Sequence, residues 1–96
     1  MDKLDAQVIA DEYLATMQQG CNYELAFNYD ITEEHPIGFV FFYNTKQFWK
    51  SRDFTTSLAG NGPLLIRRHD GEVIVLPSNR SVKRSLMDLA DEPLGN

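Results

Sequence analysis

Residues 37–43, Ile-Gly-Phe-Val-Phe-Phe-Tyr, decide the fold. They form a nearly continuous apolar run, and a strand that is apolar on both faces belongs in the middle of a sheet. Upstream, Tyr23, Leu25, Phe27, Tyr29 and Ile31 alternate with Glu24, Ala26, Asn28 and Asp30. That two-residue period predicts a strand over 23–31 with one buried face. Thr32-Glu33-Glu34-His35-Pro36 between them reads as a polar loop, because Pro36 biases His35 toward extended backbone and interrupts the ladder. The two strands therefore pair as a hairpin with a longer loop.

Downstream the pattern weakens from Asn44 to Ser57, where Phe48, Trp49 and Phe54 punctuate a polar segment that reads as an irregular excursion or short helical turn. Gly60-Asn61-Gly62-Pro63 is a dense tight-turn signal, since glycine allows positive φ and Pro63 fixes the exit. Residues 64–68 and 72–76 are strands joined through His69-Asp70-Gly71, a strong hairpin cue.

A helix brackets the strands at each end. Over residues 4–18, Leu4, Val8, Ile9, Tyr13, Leu14 and Met17 form one apolar stripe, with Asp2 or Asp5 as cap and Gly20 as a left-handed stop. Val82, Leu86 and Leu89 mark a closing helix capped by Ser78 or Asn79, with Pro93 and Gly95 in its tail. Residues 1–96 thus read as a single α+β domain. Its four-stranded antiparallel sheet is flanked by an N-terminal and a C-terminal helix, both on one face.

At 96 residues one modest core is available, and a deep internal cofactor cavity is not. The 43% hydrophobic and 24% charged content is ordinary globular usage, which excludes a disordered chain. No apolar run approaches the roughly 20 residues of a membrane span. The start, Met1-Asp2-Lys3-Leu4-Asp5, lacks a signal-peptide pattern, and the single Cys21 cannot form an internal disulfide. A cytoplasmic protein is expected.

The net charge of −5 excludes general phosphate-backbone binding, so nucleic acid is not an expected partner. The charge is also uneven. Residues 1–34 carry eight acids and one base, residues 35–84 carry three acids and eight bases, and the tail adds Asp88, Asp91 and Glu92. Such asymmetry marks either an interaction surface or two halves that neutralise each other on packing.

Catalytic and ligand motifs are sparse. Cys21 with His35 or His69 is the one nucleophile–base pairing the chain offers, and both histidines fall in expected loops. These residues lack the paired spacing of a zinc site, and Asp70-Gly71-Glu72 is a turn rather than a calcium loop. Gly60-Asn61-Gly62-Pro63 leads into a strand, not a helix N-terminus, so it is a turn rather than a phosphate cradle. No metal and no cofactor is expected.

The chain resembles the immunity protein 35 family, which includes YrhB-like bacterial proteins. The resemblance is carried by Glu12-Tyr13-Leu14, by Gly38 to Tyr43, and most specifically by Leu58-Ala59-Gly60-Asn61-Gly62-Pro63-Leu64-Leu65-Ile66. Asp70-Gly71-Glu72-Val73, Leu76-Pro77-Ser78 and the closing helix extend it over about residues 6–90. Where relatives carry Gly-Trp at the start of the second strand, this chain has Gly38-Phe39, which keeps the ring without an indole N–H. The closing helix, with Arg80, Lys83 and Arg84, is also more basic than in relatives.

The resemblance implies a cytoplasmic, non-enzymatic antidote. It would neutralise a cognate polymorphic, contact-dependent or type VI-type toxin by stoichiometric binding, as a monomer or homodimer. Asp30, Glu33, Glu34 and His35 are the first candidate partner-binding residues, with Phe48, Trp49 and Phe54 competing; the family pattern assigns neither set. A general protein-binding or chaperone-like domain is the alternative, and a Cys21 hydrolase the outsider.

Overall fold

The computed structural model describes residues 1–58 and 62–90. Gly60 and Asn61 of the expected turn, and the tail with Pro93 and Gly95, lie outside the described residues. Helix α1 spans Lys3–Gln18, α2 Lys46–Ser51 and α3 Val82–Ala90. The strands are β1 (Leu25–Phe27), β2 (Glu33–His35), β3 (Gly38–Phe41), β4 (Tyr43–Thr45), β5 (Leu64–Arg67) and β6 (Val73–Val75). Every pairing is antiparallel: a four-stranded sheet in the order β2-β3-β5-β6 and a two-stranded ladder of β1 with β4. The α+β architecture and its terminal helices are as expected.

The strand boundaries differ from those the sequence suggests. The alternating segment 23–31 is strand only at β1, because the Asn28 side chain accepts the Asp30 amide and folds Tyr29–Ile31 into a 3-10 turn. The segment read as a polar loop supplies β2. Its residues pair with β3 through a two-residue turn at Pro36 and Ile37, so the longer loop is absent. Pro36 sits in the turn itself, where its missing amide costs no ladder bond. The 37–43 run is likewise two strands, β3 and β4, broken at Phe42, whose carbonyl accepts the Asn28 amide at 3.0 Å.

The helices lie on opposite faces of the sheet, not on one. Alternation along β3 and β5 sends Phe39, Phe41 and Ile66 to the side where Ala6, Ala10 and Ile9 of α1 pack. Val40 and Leu65 go to the other side, against Val82, Leu86 and Leu89 of α3. A central strand apolar on both faces cannot leave one of them in water.

Helix α1 packs through small residues. Ala6 and Ala10 are fully buried, whereas Leu4 and Val8, assigned to the core stripe from sequence, are 71% and 57% exposed. Asp2 caps α1 by accepting the Asp5 amide, and Asp5 returns the bond to the Asp2 amide. At the other end Gly20 is not left-handed. The chain leaves through tightened turns, the Gly20 amide bonding the Met17 carbonyl at 3.2 Å. Helix α3 takes its cap from Ser81, whose hydroxyl accepts the Arg84 amide at 3.1 Å, rather than from Ser78 or Asn79.

Three glycines are fixed by local geometry. Gly71 turns the β5–β6 hairpin with φ of 74°. A Cβ on Gly38 would lie 2.2 Å from the Ile66 carbonyl oxygen, and one on Gly62 only 1.6 Å from that of Leu76. Strand β3 therefore reaches β5, and the 62–63 segment reaches Leu76, only because no side chain intervenes. Gly20 is different, with its nearest atom at 4.0 Å.

Gly38→Ala is expected to destabilise the domain by about 3 kcal/mol, the upper range for overpacking against rigid backbone. Gly20→Ala is expected to stabilise it by about 0.5 kcal/mol by reducing unfolded-state entropy. Urea denaturation of the two variants beside wild type reads both signs.

Candidate functional site

Strand alternation divides the first candidate set. Glu33 and His35, two residues apart, share the α3 side of β2 and join through Oε1 and Nε2 at 2.8 Å. Glu34 points to the α1 side, where Arg68 meets it at 3.2 Å. The Arg68 guanidinium also stands 4.6 Å over the buried Phe39 ring and donates to the His35 carbonyl at 2.9 Å. Asp30 lies outside the strand, in the exposed 3-10 turn, where its amide is bonded to Asn28. The four residues are thus spread over two faces and a turn.

Glu33 and His35 also border a groove between β2 and α3. It measures about 600 Å³ and is walled by Pro36, Ile37, Val82, Lys83, Leu86 and Met87.

The aromatic set gathers around α2. Thr45 caps this helix by accepting the Phe48 amide at 3.0 Å and donates to the Thr56 carbonyl at 2.7 Å. Asn44, nearly buried, accepts the Thr45 and Leu58 amides and donates to Ser57. These bonds tie the excursion back to β4. The Trp49 indole donates to the Ala26 carbonyl at 2.8 Å, with the Arg52 guanidinium 5.1 Å over its ring. Phe48 packs edge-on to Trp49 at 5.3 Å and tilts against Phe54 at 5.7 Å. Phe48 and Trp49 are half-buried and close the β1–β4 ladder; Phe54, 82% exposed, is the member available to a partner.

Of the expected turn Gly60-Asn61-Gly62-Pro63, Gly62 and Pro63 are described. They run beside Leu76, whose amide bonds the Pro63 carbonyl at 2.9 Å, so they brace the β6 end of the sheet.

The two charged halves do not neutralise each other. Among the described residues only Glu24 with Lys46 and Glu34 with Arg68 pair an acid of residues 1–34 with a lysine or arginine of the basic half. Arg67 takes Asp70 and Glu72, while Arg80 and Arg84 take Asp88, all local partners. The carboxylates of Asp2, Asp5, Asp11, Glu12 and Asp30 stay outside any ion pair among the described residues. Three of them sit on α1 and Asp2 caps it, so an acidic face survives folding.

That face carries apolar residues the sequence reading placed in the core. With 3.6 residues per turn, Leu4 and Val8 lie opposite Ala6 and Ala10 on α1. Ala6, Ile9, Ala10, Tyr13 and Met17 form a rival stripe at the same spacings, the signal that could have exposed Leu4 and Val8. The 3-10 turn adjoins this helix through Tyr29, whose hydroxyl donates to Asp11. Burial, and then the Asp11 carboxylate, push the Tyr29 phenol up to about 12.

Cys21 makes no side-chain hydrogen bond to His35 or His69 among the described residues; Glu33 and Asp70 face those rings. Among the described residues no three metal-ligating side chains converge, and no helix is long and apolar enough to cross a membrane.

The Tyr29 bond gives a pH signature. A phenol raised above its unfolded value near 10 holds its proton longer in the folded state, so its stabilisation is complete below pH 10. It is lost as pH rises from about 10 to about 12. Ultraviolet titration is expected to show a late-ionising tyrosine that Tyr29→Phe removes, and the variant's stability falls less over that window.

The geometry describes a small sheet platform with an acidic helix, a half-buried aromatic cluster and an apolar groove. The Immunity protein 35 family model matches residues 4–87. No curated protein and no solved structure matches the chain significantly. The matched span takes in all six described strands of the sheet and ladder and α2 at full length, with most of α1 and α3, so the whole platform, and not one motif of it, makes this chain a member of the Immunity protein 35 family.

Proposed function

We propose that this protein is a bacterial immunity protein that neutralises a cognate polymorphic, contact-dependent or type VI-type toxin by direct one-to-one binding in the cytoplasm. Membership of the family over residues 4–87 carries the reading. The uncancelled acidity of residues 1–34 supports it, because a binding protein must hold its charges available for a partner and not spend them internally. The protein acts as a blocker, covering the toxin's active site or its substrate access, and not as an enzyme or a metal or cofactor carrier.

Two further sets remain contact candidates: Asp30, Glu33, Glu34 and His35, divided between the two faces of the sheet and a turn, and Phe54 with Phe48 and Trp49 around α2. Tight and specific inhibition needs a few desolvated anchors inside a charged rim. Phe54 is the natural anchor of the second set, and Glu33 and Glu34 the charges of the first.

The apolar groove beside α3 favours a second reading, a general protein-binding domain that takes apolar segments of many clients. The two readings differ in selectivity. Co-expression of the tagged chain with the product of the neighbouring toxin-like gene is expected to yield a fixed one-to-one complex and to relieve growth arrest. Absence of a complex with a soluble, folded neighbour, together with weak binding to many unfolded proteins, would transfer the assignment to the second reading.

A further inference from the structure

We propose that the outward face of α1, continued by the 3-10 turn at Tyr29–Ile31, is the docking surface for the toxin. Its occupant is a basic protein surface that presents apolar side chains between its cations. This rests on the reading of the chain as a toxin-binding protein and names the surface and partner chemistry which that reading leaves open.

Leu4 and Val8, one helical turn apart, stand in water on the side of α1 facing away from the sheet. Ile31, in the adjoining turn, is 44% exposed. Ala6 and Ala10 already fill the contact with the sheet, so these larger side chains add nothing to the fold's own core. They are apolar area held in reserve. A partner that covers them gains the burial that folding leaves unused.

The charge around them selects the occupant. Asp11 and Glu12 flank the apolar pair on α1, and Asp30 stands beside Ile31. None forms an ion pair among the described residues, so a partner's lysine or arginine meets them without first breaking an internal bridge. Asp11 accepts only the neutral Tyr29 hydroxyl, whereas Glu33 and Glu34 are engaged by His35 and Arg68.

A second copy of this chain would set the acids of one α1 against those of the other across a two-fold axis. Nucleic acid and anionic lipid are repelled by the same charges. A basic protein surface satisfies both the apolar pair and the carboxylates.

The test uses the toxin domain of the neighbouring gene, titrated calorimetrically into the full chain. The pair Leu4→Ser with Val8→Ser is expected to weaken binding at least ~10-fold, as loss of interface anchors does. The pair Glu12→Lys with Asp30→Lys is expected to weaken it similarly at low salt and less at high salt, where surface charges are screened. Gln47→Ser, at an exposed position of α2 outside every candidate set, stays within about 2-fold of wild type. Circular dichroism confirms that each variant is folded.

Wild-type binding with both α1 variants unimpaired would overturn the docking surface and leave the toxin-binding reading intact. A wild-type chain that fails to bind the folded toxin would remove that reading and this one together. Self-association abolished by the Leu4 and Val8 substitutions would instead assign the face to a second copy.

Discussion

Strands β3 and β5 are buried on both faces, and the rest of the architecture follows from that constraint. Phe39, Val40, Phe41, Leu64, Leu65 and Ile66 are the largest fully buried side chains of the domain. Because they alternate, no single helix layer can cover them. One helix is needed on each side, and the chain supplies these from its two ends. The sheet must also bring β3 and β5 close at Gly38, where any side chain would strike the Ile66 carbonyl. Burying one Phe, Leu or Ile side chain is worth roughly 1.5–3 kcal/mol, so the central pair is the main source of cohesion for a domain of this size.

The two helices answer this demand differently. Helix α3 is a conventional amphipathic segment, with Val82, Leu86 and Leu89 turned inward and a mainly charged outer face. Helix α1 approaches through alanines and carries leucine and valine on the outside. Small residues at the contact let its axis lie close over Phe39, Phe41 and Ile66. Its outer face is thereby released from packing duty and free to vary without disturbing the sheet. Local pairing of Arg67, Arg80 and Arg84 with their own neighbours has a parallel effect on charge, since the acids of α1 are never drawn into the interior of the charge network.

The fold was legible where a single period dominates. The central position of β3, the Asp70-Gly71 hairpin and the closing helix all rest on local patterns that the tertiary structure leaves intact. Legibility failed where two patterns compete. In α1 the larger residues outvoted the alanines, although at the sheet it was small size that fitted. At Glu33–His35 polarity suggested a loop, yet an edge strand tolerates charge and gains from it, since charged edges resist unwanted pairing. The face occupied by each helix was not legible at all. It depends on how the chain crosses the sheet, which no local window records. For the candidate residues, sequence identified acids and aromatics by type, but strand alternation separated Glu34 from Glu33 and His35, and the Trp49–Ala26 bond drew the indole inward.

The toxin-binding role proposed for this chain needs a scaffold that separates what folds the domain from what meets the partner. Here that separation runs through individual elements. Along β3 every side chain serves the core, so no position there can change to suit a toxin without loss of stability. Along α1 the two demands fall on opposite sides of one helix: Ala6 and Ala10 serve the sheet, while Leu4, Val8, Asp11 and Glu12 do not. An outward leucine and valine contribute contact area but little discrimination, because apolar surfaces accept one another broadly. Unpaired carboxylates contribute discrimination, because a misplaced partner charge meets repulsion or an unsatisfied desolvated ion. A rigid helix bearing both, held at a fixed angle by alanine packing on a doubly buried sheet, lets substitutions at four or five outward positions change the partner while the fold remains the same.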